Sequence, residues 1–147
     1  MRDQRYQLKS APLLMSYEFT SEGPKGSIQK IIKYTETINP NVYNLGFGDK
    51  LGDSDDYDDM SISDNKDSIR VLATVAASTY TLTDAYPEKS ILATGSTQSR
   101  TRLYRIGISN NLEEIEKDFV VLGYINDKWE LFERNKDYLA FVIKRKK

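Results

Sequence analysis

The sequence contains neither cysteine nor histidine. Without cysteine there can be no disulfide, thiolate zinc site or thiol nucleophile. Without histidine the commonest metal ligand and the usual general base near neutral pH are missing too. Mechanisms built on a Ser-His or Cys-His pair are therefore excluded. Proline is scarce, and Pro12, Pro24, Pro40 and Pro87 all fall at breaks between apolar stretches. No apolar run is long enough to span a bilayer, and the opening Met1-Arg2-Asp3-Gln4-Arg5-Tyr6 is charged and polar. Neither a membrane segment nor a secretory leader is expected, so the expected location is cytoplasmic and no membrane partner is predicted.

What remains is the composition of a folded chain. Hydrophobic residues make up 39% and aromatics 11%, against a net charge of -1, which separates the sequence from disordered polymers. A length of 147 residues suits one domain over residues 1–147, large enough for a single core. The near-zero net charge hides an uneven distribution. Acids crowd residues 49–67, and Lys144-Arg145-Lys146-Lys147 ends the chain with four cations. No internal repeat is evident.

The patterning predicts an α+β fold, mainly antiparallel, with about three helices packed on one side of the sheet. Leu13–Thr20 and Ser27–Ile38 flank Ser21-Glu22-Gly23-Pro24-Lys25-Gly26, whose proline and glycines supply turn geometry, and so predict a hairpin. In its second arm Ile28, Lys30, Ile32 and Tyr34 alternate with Gln29, Ile31, Lys33 and Thr35. Val42–Phe47 is expected as a third strand. Ile69, Leu72, Val75, Ala76, Thr79 and Leu82 recur at helical spacing, predicting a helix capped by Asp64 or Asn65 that ends near Tyr86-Pro87. With Met60–Ser63 before it and Ser90–Thr94 after it, residues 60–95 read as strand, helix, strand. Asn110 or Asn111 is expected to cap a further helix carrying Glu113 and Glu114 in its first turn. Val120–Ile125, Asn126-Asp127 and Lys128–Glu133 predict a second hairpin, followed by a final strand over Tyr138–Lys144. Trp129, beside Leu131, is expected in the core.

Two stretches imitate binding motifs and fail on inspection. Gly46-Phe47-Gly48-Asp49-Lys50-Leu51-Gly52 spaces its last glycine one residue too far for a dinucleotide fingerprint and leads into an acidic loop rather than a helix. No cofactor is therefore predicted. Asp53, Asp55, Asp56, Asp58 and Asp59 supply oxygen ligands, but the central glycine and terminal glutamate of a calcium-binding EF-hand loop are missing. That segment is expected to be a hydrated loop without a metal.

Gly95-Ser96-Thr97-Gln98-Ser99-Arg100-Thr101-Arg102-Leu103-Tyr104-Arg105 carries the clearest ligand signal. An apolar run stops at a Gly-Ser-Thr turn, and a helix starting at Ser96 or Thr97 would hold arginines where its dipole favours anions. Such a turn can aim N–H groups and hydroxyls at a phosphate while arginine grips it bidentately. The candidate ligand-binding residues are Ser96, Thr97, Arg100, Arg102 and Arg105. The competing reading is structural: Ser96 or Thr97 caps the helix and the arginines pair with acids such as Glu113 or Glu116. The alternation of Tyr104, Ile106 and Ile108 also admits a strand there. A nucleic-acid surface would add Lys25, Lys30 and Lys33, with Tyr34 and Tyr104 as stacking platforms.

Ser21–Ile28, Ala93–Arg105 and the Asp-rich middle together resemble a small bacterial protein family of unknown function, over nearly the whole chain. The resemblance implies a stand-alone bacterial cytoplasmic protein and transfers no catalytic residue. The function expected is binding of a phosphate-bearing ligand, a nucleotide or nucleic acid, through Gly95–Arg105. The alternatives are a histidine-independent nucleotide- or RNA-processing enzyme that uses arginines to stabilise anionic charge, and a protein-interaction module of a regulatory or toxin-antitoxin pair acting through the acidic loop.

Overall fold

The computed structural model describes residues 5–10, 15–53, 57, 65–95 and 97–146. Its elements are β1 (Lys9–Ser10), β2 (Ser16–Gly23), β3 (Gly26–Glu36), β4 (Val42–Asp49), α1 (Ser68–Ala85), β5 (Ser90–Ala93), α2 (Gln98–Asn110), α3 (Leu112–Asp118), β6 (Phe119–Ile125), β7 (Lys128–Leu131) and β8 (Ala140–Arg145). The strands form one sheet in the order β1-β2-β3-β4-β5-β8-β6-β7. Neighbours are antiparallel except β4 and β5, which run parallel because α1 carries the chain back over the sheet between them. The fold class is α+β.

Alternation in β2 and β3 assigns their two faces. Tyr17, Phe19 and Ser21 lie opposite Ile32, Lys30 and Ile28, on the side that packs against the helices. The hairpin tip is fastened from outside. Asn65 is buried, donates from Nδ2 to the Gly26 carbonyl at 2.9 Å and accepts from the Lys25 amide at 2.7 Å. Asp67 occupies the N-cap position of α1 without a side-chain capping bond. Its carboxylate instead accepts from the Tyr6 hydroxyl at 2.7 Å and from Ser21. The expected caps are thus corrected: Asn65 is committed to the hairpin tip, and Asp64 lies outside the described residues, as does the Met60–Ser63 strand. The strand that leads towards α1 is β4.

Val71, Val75 and Leu82 of α1 are buried, as are Tyr104 and Ile108 of α2 and Leu112 and Ile115 of α3. They pack on Ile32, Phe47, Ile91 and Phe141 of the sheet. Each side chain of this size stabilises the fold by roughly 1.5–3 kcal/mol when fully buried. Helices and sheet leave an apolar cleft of about 70 Å³ whose walls include Leu72 and Ala76 of α1, Gly107 and Ile108 of α2 and Ile143 of β8.

Residues 98–110 are helical, so the strand reading of Tyr104, Ile106 and Ile108 is overturned. Tyr104 and Ile108 lie one helical turn apart on the buried face, whereas Ile106 is 40% exposed. Asn111 stands between α2 and α3, but its amide donates back to the Gly107 carbonyl at 2.9 Å rather than capping α3. The β6–β7 hairpin turns at Asn126 and Asp127, both with positive φ (53° and 61°), as a two-residue turn matched to strand twist requires. Trp129 is 43% exposed, not in the core: its register partner Tyr124 lies on the sheet face away from the helices.

Candidate functional site

The parallel pair β4–β5 sends both of its carboxyl ends to one edge of the fold. At that edge β4 ends on Asp49, and β5 runs through Thr94 and Gly95 into α2. Ligands of open sheets with parallel strands gather outside such carboxyl ends.

Gly95 fits because of what a side chain there would strike. A Cβ would lie 2.6 Å from Thr101 Oγ1 and 2.8 Å from the Thr97 carbonyl, with the Thr101 amide closer still. The turn is therefore pressed onto the first turn of α2. Thr101 Oγ1 accepts from the Gly95 amide at 3.1 Å and donates to the Thr97 carbonyl at 3.2 Å. Thr97 is the extended N-cap residue, and its hydroxyl accepts from the Arg100 amide at 3.2 Å. The capping part of the structural reading therefore holds for Thr97. Ser96 lies outside the described residues.

The three arginines diverge, as a helix requires of positions 100, 102 and 105. Arg100 is 3% exposed, with its guanidinium 5.6 Å from the Phe47 ring centre and 5.7 Å from that of Tyr57, within cation–π range of both. Arg102 is exposed. Arg105 pairs with Asp137 rather than with Glu113 or Glu116. The first turn of α2 holds no acid, so its dipole is not offset from within the helix.

Lys30 and Asp49, which the sequence reading did not join, meet where β4 ends. Lys30 is 1% exposed, and its Nζ donates to Asp49 Oδ1 at 2.6 Å across the β3–β4 register. The signal was present in the alternation, since Lys30 shares its phase with Ile28, Ile32 and Tyr34. Tyr57 was also missed. This aromatic residue within the acidic segment bridges to Lys50 and places its hydroxyl where Gly46 would carry a Cβ. Asp55, Asp56, Asp58 and Asp59 lie outside the described residues. Among the described residues no group of acids is placed to hold a metal ion.

The model of a family of unknown function matches residues 2–146. The chain belongs to that family, DUF6934. No curated protein and no solved structure matches the chain. The family supplies no activity, so the site has to be read from its own chemistry.

That chemistry corrects the nucleic-acid surface. Tyr34 and Tyr104 are 2% and 5% exposed and cannot stack on bases. Tyr34 donates or accepts with Ser78 and Thr79 at 2.7 and 2.9 Å, and Tyr104 meets the Phe47 ring edge-on at 5.6 Å. Lys30 is buried against Asp49 rather than offered to a phosphate. No described helix is long and apolar enough to cross a membrane.

Proposed function

We propose that the protein binds a nucleotide-sized, phosphate-bearing ligand at the carboxyl ends of β4 and β5. The observation that carries this reading is the placement of the Gly95–Thr97 turn. It brings the N-terminus of α2, with Arg100 and Arg102 in or next to its first turn and no acid there, to the edge where parallel strands end. A helix N-terminus favours an anion through its dipole and its first amide groups. In this reading Thr97 holds the turn, Arg100 supplies positive potential from the interior, and Arg102 makes the direct contact. Arg105 is held by Asp137, whose side chain is 92% exposed. Surface pairs of this kind are worth about 0–1 kcal/mol, so Arg105 can turn to a ligand at little cost.

Compactness favours a nucleotide over a strand of nucleic acid. Lys30 and Arg100 are buried rather than lined up on a surface, and Tyr34 and Tyr104, which would stack on bases, are in the core. Equilibrium titration with ATP, GTP, inorganic phosphate and a short single-stranded RNA tests the proposal. Arg102→Ala is expected to weaken nucleotide binding at least about tenfold, roughly 1.4 kcal/mol. RNA binding whose log affinity falls steeply with log salt would replace the nucleotide by nucleic acid. No binding by the wild-type protein, or equal binding by the variant, would return the segment to a purely structural role.

A further inference from the structure

The sheet face away from the helices changes character halfway across. Over β2 and β3 it presents Glu18, Thr20, Gln29 and Lys33 around a fully buried Ile31. Over β5, β8, β6 and β7 the register aligns Leu92 with Val142, Val142 with Leu122, and Leu122 with Leu131. This row is apolar across four strands, and the next pair, Tyr124 and Trp129, extends it with ring centres 5.1 Å apart. Trp129 is 43% exposed and Leu131 68%. Strand β6 reads Phe-Val-Val-Leu-Gly-Tyr-Ile, apolar on both faces. That is the pattern of a strand covered on both sides, whereas a strand with one wet face alternates. The helices α1, α2 and α3 cover the first side of β6, and no described helix or strand covers the second.

We propose that this half-face is the interface of a homodimer, in which a second copy packs its own β5-β8-β6-β7 surface against the first. The row carries no charge at its centre, so it matches itself about a two-fold axis, the commonest symmetry of soluble oligomers. The charged Lys144, on the same face of β8, stands at the rim. Four strands spaced at about 4.8 Å, with about five residues each at about 3.3 Å, span roughly 320 Å² of sheet. Two copies would cover roughly 640 Å² of it, the size of a weak, reversible contact rather than of a permanent dimer. Face-to-face sheet packing with a slight rotation accommodates such surfaces.

Sedimentation equilibrium of the full chain, read beside the emission of its single tryptophan, tests this. The expected result is a monomer–dimer equilibrium in the micromolar range, with Trp129 emission moving to shorter wavelength as concentration rises. Leu131→Glu and Leu131→Lys, at a side chain too exposed to hold the fold, should each weaken association at least about tenfold and abolish the emission shift. Ile69→Glu, at an exposed position on α1, should leave both readouts unchanged. A wild-type chain that stays monomeric up to about 0.5 mM would overturn the proposal. So would dimerisation that both Leu131 variants leave intact.

Discussion

Lys30 reaches across the β3–β4 register to Asp49, with Nζ 2.6 Å from Oδ1, and buries all but 1% of its surface. Removing this carboxylate takes a close partner from a buried ammonium group, and weakening the compensation of a desolvated charge is expensive. Asp49→Ala should therefore destabilise the protein by about 2–4 kcal/mol. Lys30→Met should cost less, because the carboxylate it leaves behind keeps 20% exposure and can hydrate. Urea unfolding of the two variants checks the order. Equal effects would mean that the pair does not govern this corner of the fold.

Arg100 and Arg102 should separate stability from binding. Arg100 is enclosed between Phe47 and Tyr57, so its loss disturbs the packing of this corner. Arg100→Ala should lower stability by about 2–4 kcal/mol through lost cation–π contacts and lost packing in a buried position. Exposed Arg102→Ala should change it by less than about 0.5 kcal/mol. Thermal melts of both variants settle the contrast.

Gly95→Ala is expected to cost about 1–3 kcal/mol, the range for forced overpacking, because the added methyl group meets the Thr101 amide and hydroxyl. The first turn of α2 would have to move. Amide exchange at Arg100 and Thr101 should accelerate in the variant, and unchanged protection would show that the turn tolerates the methyl group.

Two buried tyrosines should respond oppositely to loss of their hydroxyls. The Tyr17 hydroxyl is buried and meets no hydrogen-bond partner among the described residues, so Tyr17→Phe should be neutral or stabilising. Tyr34 bonds to Ser78 and Thr79, and Tyr34→Phe should cost about 1 kcal/mol. Burial also pushes the Tyr17 phenol up to about 12 and raises that of Tyr34 further, above an ordinary value of 10. For an acid raised in the folded state, the unfolded chain gives up its proton first. The stability these phenols contribute is thus complete below pH 10 and is lost as pH rises from 10 through 12 and beyond. Phenolate absorbance during alkaline titration should show both tyrosines ionising only with unfolding, and Tyr17→Phe should flatten the alkaline fall.

Local order was legible where pattern and turn chemistry agreed. The hairpin around Pro24, the helix ending before Pro87 and the Asn126-Asp127 turn all follow from nearest-neighbour chemistry. The pairing of distant strands was not. Nothing in Ser90–Ala93 or Ala140–Arg145 announces that β8 inserts between β5 and β6, or that β4 and β5 run parallel, because strand order is fixed by packing across the whole sheet. The same limit hid the site. Lys30 was visible as a cation in a buried phase, but its pairing with Asp49 needed the β3–β4 register. The burial of Arg100 and the exposure of Trp129 likewise depend on which sheet face each element meets.

A ¹H–¹⁵N NMR titration of the wild-type protein with ATP reads directly whether a phosphate-bearing ligand sits at the N-terminus of α2. Saturable shifts are expected to concentrate at the amides of Gly95, Thr97, Gln98, Ser99 and Arg100 and to be much weakened in Arg102→Ala. Saturable shifts centred elsewhere, or none at these amides at millimolar nucleotide, would contradict that placement.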